Sequence, residues 1–187
     1  MKCTWVCALV ALAAGLPGAS AAAPEGKAAK RAIAQIRRHY KDPMIGQQEC
    51  PFPGLLMFTA FERANLNEDP LIPEQWFVYA DGPAVNTLPL ARIRHQPRDT
   101  QEAVALATWL FSTEHRWSLI KATRVEQAEG GGMRVTIEAE MSLVHPMFRQ
   151  GRKPGTAVVT VDAGRWSMKV DDPFIERADT VREAAEQ

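Results

Sequence analysis

Few side chains in this sequence are equipped for chemistry, and their spacing limits what they can do. Cys50 stands in QQECPFPG (47–54), with Glu49 before it and Pro51 after it. Reactive thiolates sit beside cations or at helix N-termini; here the neighbours are an acid, which raises a thiol pKa, and a residue with no N–H to offer. The setting predicts a buried thiol that pins a proline-rich crossing onto the core. His39, His95, His115 and His145 are scattered, no two within one helical turn. Metal centres need several ligands at compatible spacing, so no metal and no cofactor are expected. There is no Gly-x-Ser-x-Gly elbow, and Gly130-Gly131-Gly132 joins two predicted strands, the wrong context for a phosphate cradle. Glu138 and Glu140 share one strand face opposite the core residues, which predicts solvated side chains, the first paired with Arg124. No catalytic residue stands out, and the chain leans away from being an enzyme.

The aromatics are the better candidates. In QWFVYA, alternation sends Trp76 to one strand face and Phe77 and Tyr79 to the other. Either the strand is covered on both sides and all three are core, or one face is open and offers an apolar patch or pocket mouth. Trp117 and His145 fall opposite one another at a strand end. Trp76, Phe77, Tyr79, Trp117 and His145 are therefore the candidate ligand-binding residues, with core burial as the plain alternative.

The first residues follow the plan of a secretory signal: Lys2, an apolar stretch from Trp5 to Ala14, then small residues around Ala19-Ser20-Ala21. That stretch is too short to cross about 30 Å of hydrocarbon, so residues 1–21 are expected to be cleaved and the protein to be periplasmic or secreted. Cys3 and Cys7 lie at the start and middle of the stretch, not at its end where a lipoprotein cysteine would be. Cleavage leaves Cys50 alone, with no intramolecular disulfide. The 187 residues carry 22 basic and 22 acidic side chains; this balance argues against nucleic-acid binding, which needs a basic surface. No later stretch approaches a transmembrane helix.

The elements that must position these residues can be read in order. EGKAAKRAIAQIRRHYKDP is an amphipathic helix with Ala29, Ile33, Ile36 and Tyr40 at helical spacing, Pro43 as its stop, and a basic outer face. Residues 43–53 read as a proline-broken crossing, 54–62 and 75–80 as strands, and ARIRHQ as a short strand or extended edge. Asp99 and Glu102 form a capping box ahead of AVALATWLFSTEH, apolar nearly all round and hence buried, with Trp109 in the core. In MRVTIEAEMSL the apolar odd positions mark a half-buried strand. A three-residue Gly130–132 loop would set Val125 against Ile137, Leu119 against Leu143 and Arg124 against Glu138. A turn at Ala163-Gly164 sets Val161 against Trp166, Val159 against Met168 and Ala157 against Val170.

The expectation is an α+β fold: helices packed on a curved, mostly antiparallel sheet with a C-terminal β-meander, one domain over 22–175, and a short helix or frayed tail over 176–187. In this order of elements the chain resembles the nuclear-transport-factor-two and ketosteroid-isomerase superfamily of cone-shaped folds, with a cystatin-like sheet wrapped on one helix as the competitor. The resemblance implies that proton-transfer chemistry would use a carboxylate or histidine in the cone, drawn here from His39, His95, His115, His145, Asp81, Glu138 and Glu140. Three functions follow: an exported non-enzymatic binding or assembly module, a small isomerase- or cyclase-type pocket enzyme, or a periplasmic inhibitor or immunity protein acting through the loop at 147–154. The expected partner is a protein, a peptide or a small apolar ligand, and a homodimer is compatible with all three.

Overall fold

The computed structural model describes residues 22–67, 73–79, 82–116, 118–128, 131–141, 153–171 and 174. The first element, α1 (Ala22–Ile36), buries Ala28, Ala32 and Ile36, a stripe at four-residue spacing. Lys27, Lys30, Arg37 and Arg38 are exposed, so the basic face is the solvated outer side of a packed helix. The chain tightens into a 3₁₀ turn at Arg37–His39 and leaves it extended at Tyr40.

α1 lies on a three-stranded antiparallel sheet in the order β1 (Pro43–Gln48), β2 (Leu55–Glu62), β3 (Glu74–Tyr79). β2 and β3 are the two strands the sequence predicts. β1 is a correction: the proline-broken crossing contains a strand paired from Pro43↔Glu62 to Gln48↔Met57. Pro43 occupies the first strand position and Pro51 and Pro53 lie in the connection, where no ladder bond is lost. Leu56, Phe58 and Ala60 join the cluster under α1, while Leu55 and Met57 belong to the main core. Burial on both faces is the reason for the unbroken apolar run.

α2 (Thr100–Glu114) begins at Asp99, whose carboxylate accepts the Glu102 N–H at 2.8 Å. The Glu102 carboxylate reaches back to Arg98, accepting from its backbone N–H at 2.6 Å and its Nε at 2.9 Å. Ala103, Leu106, Ala107, Leu110 and Phe111 are buried, but Ala105 and Ser112 are exposed. One stripe therefore meets solvent, and Trp109 is half-buried at the margin, edge-on to Phe52 at 5.7 Å. Before α2, ARIRHQ forms a 3₁₀ turn at Leu90–Arg92 and a single bridge from Arg94 to Arg165 in place of a strand.

The C-terminal meander is a second antiparallel sheet in sequence order: β4 (Ser118–Gln127), β5 (Met133–Met141), β6 (Lys153–Asp162) and β7 (Arg165–Val170). The fold is thus α+β with strands dominant. Val135, Ile137, Ala139 and Met141 are buried, as the alternation requires. β6 and β7 pair in the predicted register, with Val161↔Trp166, Val159↔Met168 and Ala157↔Val170. Ala163 and Gly164 both have positive φ, 46° and 75°, the signature of the two-residue turn that matches strand twist.

The β4–β5 register is corrected. Val125 faces Val135, not Ile137, and Arg124 faces Thr136. β4 ends at Gln127 and β5 begins at Met133, with five residues between them and the Ala128 N–H donating to the Gly132 carbonyl at 2.8 Å. The slip is two residues, which leaves every side chain on its predicted face, so alternation could not detect it. A bulge between Ile120 and Ala122 then exchanges the faces. Ile120 packs on the core, while Leu119 lies opposite Glu140 and is 49% exposed. Arg124 still reaches Glu138, diagonally, at 3.7 Å. Leu143, the tail from 176 and the loop at 147–152 lie outside the described residues.

Phe174, fully buried, closes the main core over Gly155, where a Cβ would clash with its ring. Gly155→Ala is expected to lower the unfolding free energy by about 1–3 kcal/mol through overpacking, and Asp99→Ala by about 1 kcal/mol through loss of the cap. Urea midpoints at unchanged slope check both.

Candidate ligand cleft

The last turn of α1 and the start of β3 enclose a polar cleft. Its frame is fixed by Gln35, whose Nε2 donates to the Ala84 carbonyl at 3.0 Å while its Oε1 accepts the Ala84 N–H at 2.9 Å. Arg31 adds a bond to the Gly82 carbonyl at 2.9 Å. These tie α1 to the segment following β3, which itself pairs with β3 through Phe77 and Val85 at 2.7 and 2.8 Å.

Within this frame the 3₁₀ turn sets the His39 ring 4.8 Å from that of Trp76. Extended backbone at Tyr40 turns its phenol toward β3, where the hydroxyl donates to Glu74 Oε2 at 2.6 Å and accepts from Trp76 Nε1 at 3.1 Å. Burial, and then the Glu74 carboxylate that holds its proton, push the Tyr40 phenol well above its ordinary value of 10.0. The opening is about 530 Å³, with Asn86 and Thr87 completing its wall. Trp76, only 5% exposed, is its floor and not an open stacking platform.

The hydrogen-bond inventory decides what the cleft can take. Gln35 is consumed by Ala84, and the Trp76 N–H and the Tyr40 proton are consumed by each other and by Glu74. What remains is Glu74 Oε1, one lone pair on Tyr40, the His39 ring nitrogens and the side chains of Asn86 and Thr87, which donate as well as accept, with the Glu74 carboxylate as the one negative charge.

The five candidates from the sequence do not converge. Trp76 is in the cleft; Phe77, 1% exposed, is on the other face of β3 in the main core. Tyr79 borders that core with the Arg92 guanidinium 4.7 Å above its ring, and its buried hydroxyl has no hydrogen-bond partner among the described residues. Burial raises its pKa and Arg92 opposes the rise. Trp117 and His145 lie outside the described residues. Sequence reasoning missed Glu74, which read as the polar end of a loop. It assigned Tyr40 to the apolar stripe of α1, whereas the phenol carries a hydrogen-bonded relay. Tyr40 and Glu74 are 34 positions apart, and no local pattern links them.

Elsewhere two of the carboxylates singled out from the sequence are paired. Glu140 pairs with Lys121 and Glu138 with Arg124. His95 Nε2 is 3.5 Å from Glu102 Oε1. His115, stacked between Phe111 and Phe174 at 4.9 and 5.6 Å, is pushed below its ordinary 6.5 by burial, with Asp171 opposing. Asp81 lies outside the described residues, among which no group of three His, Cys, Asp or Glu is placed to hold a metal. Burial pushes the Cys50 thiol up to about 11, against a lowering contact from the Phe52 backbone. Compared with protein-family models, curated proteins and solved structures, the chain matches none.

Two outcomes follow from these environments. At pH 8, labelling of Cys50 by a disulfide reagent should be slower by about tenfold or more in the native protein than after unfolding, because burial moves the thiol from 9.0 to about 11 and the thiolate it loses is only partly offset by that thiolate's greater nucleophilicity. His115 binds a proton more readily when unfolded. Its contribution to stability is therefore complete above about pH 6.5 and declines as the pH falls through that value toward the lower folded pKa. In His115→Gln the urea midpoint should vary less between pH 7 and pH 5 than in the wild type.

Proposed function

We propose that this protein is an exported, non-enzymatic binding module whose cleft captures a cationic group, an ammonium or guanidinium presented by a small molecule or a peptide side chain. The observation that carries the reading is the relay from Trp76 through Tyr40 to Glu74. It spends the Trp76 and Tyr40 donors internally and leaves one Glu74 carboxylate oxygen, of the only anionic group lining the cleft among the described residues, uncommitted. A cation entering there meets the Glu74 carboxylate at the margin of the His39 and Trp76 rings. Export rests on the three-part plan of residues 1–21. The resemblance to the cone-shaped superfamily is supported by α2 lying on an antiparallel meander, with the three-stranded sheet as an addition to that plan.

The test is a titration of the purified protein with n-butylguanidinium and n-butylammonium, followed by the indole N–H resonance of Trp76, assigned by Trp76→Phe. A saturable shift is expected, weakened at least tenfold in Glu74→Gln. A shift of equal size with neutral n-butanol, or no saturation by either cation at millimolar concentration, would overturn the reading.

A further inference from the structure

The opposite edge of the three-stranded sheet carries a second feature, independent of the cleft. β1 is the outer strand among the described residues. The Arg63 N–H donates to the Asp42 carbonyl at 2.9 Å, and in the β1–β2 register residues 42 and 63 occupy one hydrogen-bonded position. The alternation of an antiparallel ladder then assigns Met44, Gly46 and Gln48 to bonds with β2 and turns the N–H and C=O of Ile45 and Gln47 outward. Natural edges are guarded by charges, prolines or bulges; after Pro43, the run Met44–Gln48 has none of them.

A recess of about 480 Å³ wraps this edge. Ile33 of α1 and Arg37 of the 3₁₀ turn that follows line it over the face that Ile45 shares with the helix, and Met44 and Phe61 line it on the opposite face. An added strand sends alternate side chains to both faces, so the recess has the shape of one more strand. Its charges are Arg37 and Arg63; Arg63 is bound to Asp42 at 2.8 Å, which leaves Arg37 as the cation facing an occupant.

We propose that β1 is a docking edge for an extended, acidic segment of a partner protein, which adds to the sheet as a fourth strand. Backbone bonds to Ile45 and Gln47 supply affinity, a carboxylate meets Arg37 on the helix side, and apolar side chains meet Met44 and Phe61 on the other.

The probe is an acetylated, amidated heptapeptide alternating valine and glutamate, with a twin carrying lysine for glutamate. The acidic peptide should protect the Ile45 and Gln47 amides from hydrogen exchange and bind at least tenfold more tightly than the twin. Arg37→Glu should reverse that preference. Gln47→Pro, which removes an outward N–H and leaves the β1–β2 ladder intact, should weaken binding at least tenfold at an unchanged urea midpoint. Equal binding of the two peptides, or no protection at those two amides, would overturn the proposal. Protection without peptide would overturn it too: if it grows with protein concentration the occupant is a second copy, and if it vanishes on deleting residues 176–187 the occupant is the chain's own tail.

Discussion

β2 has no solvent face, and the rest of the molecule is arranged around that fact. From Leu55 to Ala60 every residue but Thr59 is buried, so the three-stranded sheet is stable only when something apolar covers each side. α1 covers one side and the core shared with α2 and the meander covers the other. A helix is about 10 Å across and three strands at about 4.8 Å spacing are wider than that. A single helix therefore shields the middle of the sheet and leaves both margins partly open. The cleft at β3 and the recess at β1 are those two margins.

Magnitudes show which contacts hold this arrangement. Ile36, Phe58, Trp76 and Val78 are all almost fully buried, and a large apolar side chain contributes about 1.5–3 kcal/mol on burial. The exposed Arg63–Asp42 pair, at 56% and 62% exposure, belongs to a class whose median is about 0–1 kcal/mol. Packing thus sets where α1 lies, and the polar ties from Gln35 and Arg31 to residues 82–84 fix its position lengthwise. Lengthwise position matters because Tyr40 must reach Glu74 and Trp76 together.

Much of this was legible in the residues. The capping box at Asp99, the turn at Ala163-Gly164 and the period-two face of β5 each have a local signature, and each element formed where that signature lay. The misses share a cause: the signal was either absent or symmetric. Alternation has period two, so it fixed the faces of β4 and β5 but was blind to a slip of two residues. The bulge near Lys121 has no residue of its own to announce it. β1 was hidden by Pro43, which takes its first position where no ladder bond is lost, and by Pro51 and Pro53 beyond its end. The cleft was the least legible part, because His39 and Tyr40 meet Glu74 and Trp76 only after helix and sheet have packed, and alternation at 76–79 showed two strand faces without showing that both are covered.

The double burial of β2 also bears on the order in which the chain folds during synthesis. β4 to β7 pair with sequence neighbours, which favours rapid formation. β2 is made well before α2, so its inner face has no lid until Ala103 to Phe111 follow. In the interval the nascent chain displays a strand that is adhesive on both sides, flanked by β1 with an unguarded edge. That interval, more than the finished fold, is where this protein is exposed to mispairing, and a cell that makes it must keep residues 55–60 apart from other strands until the second half of the chain arrives.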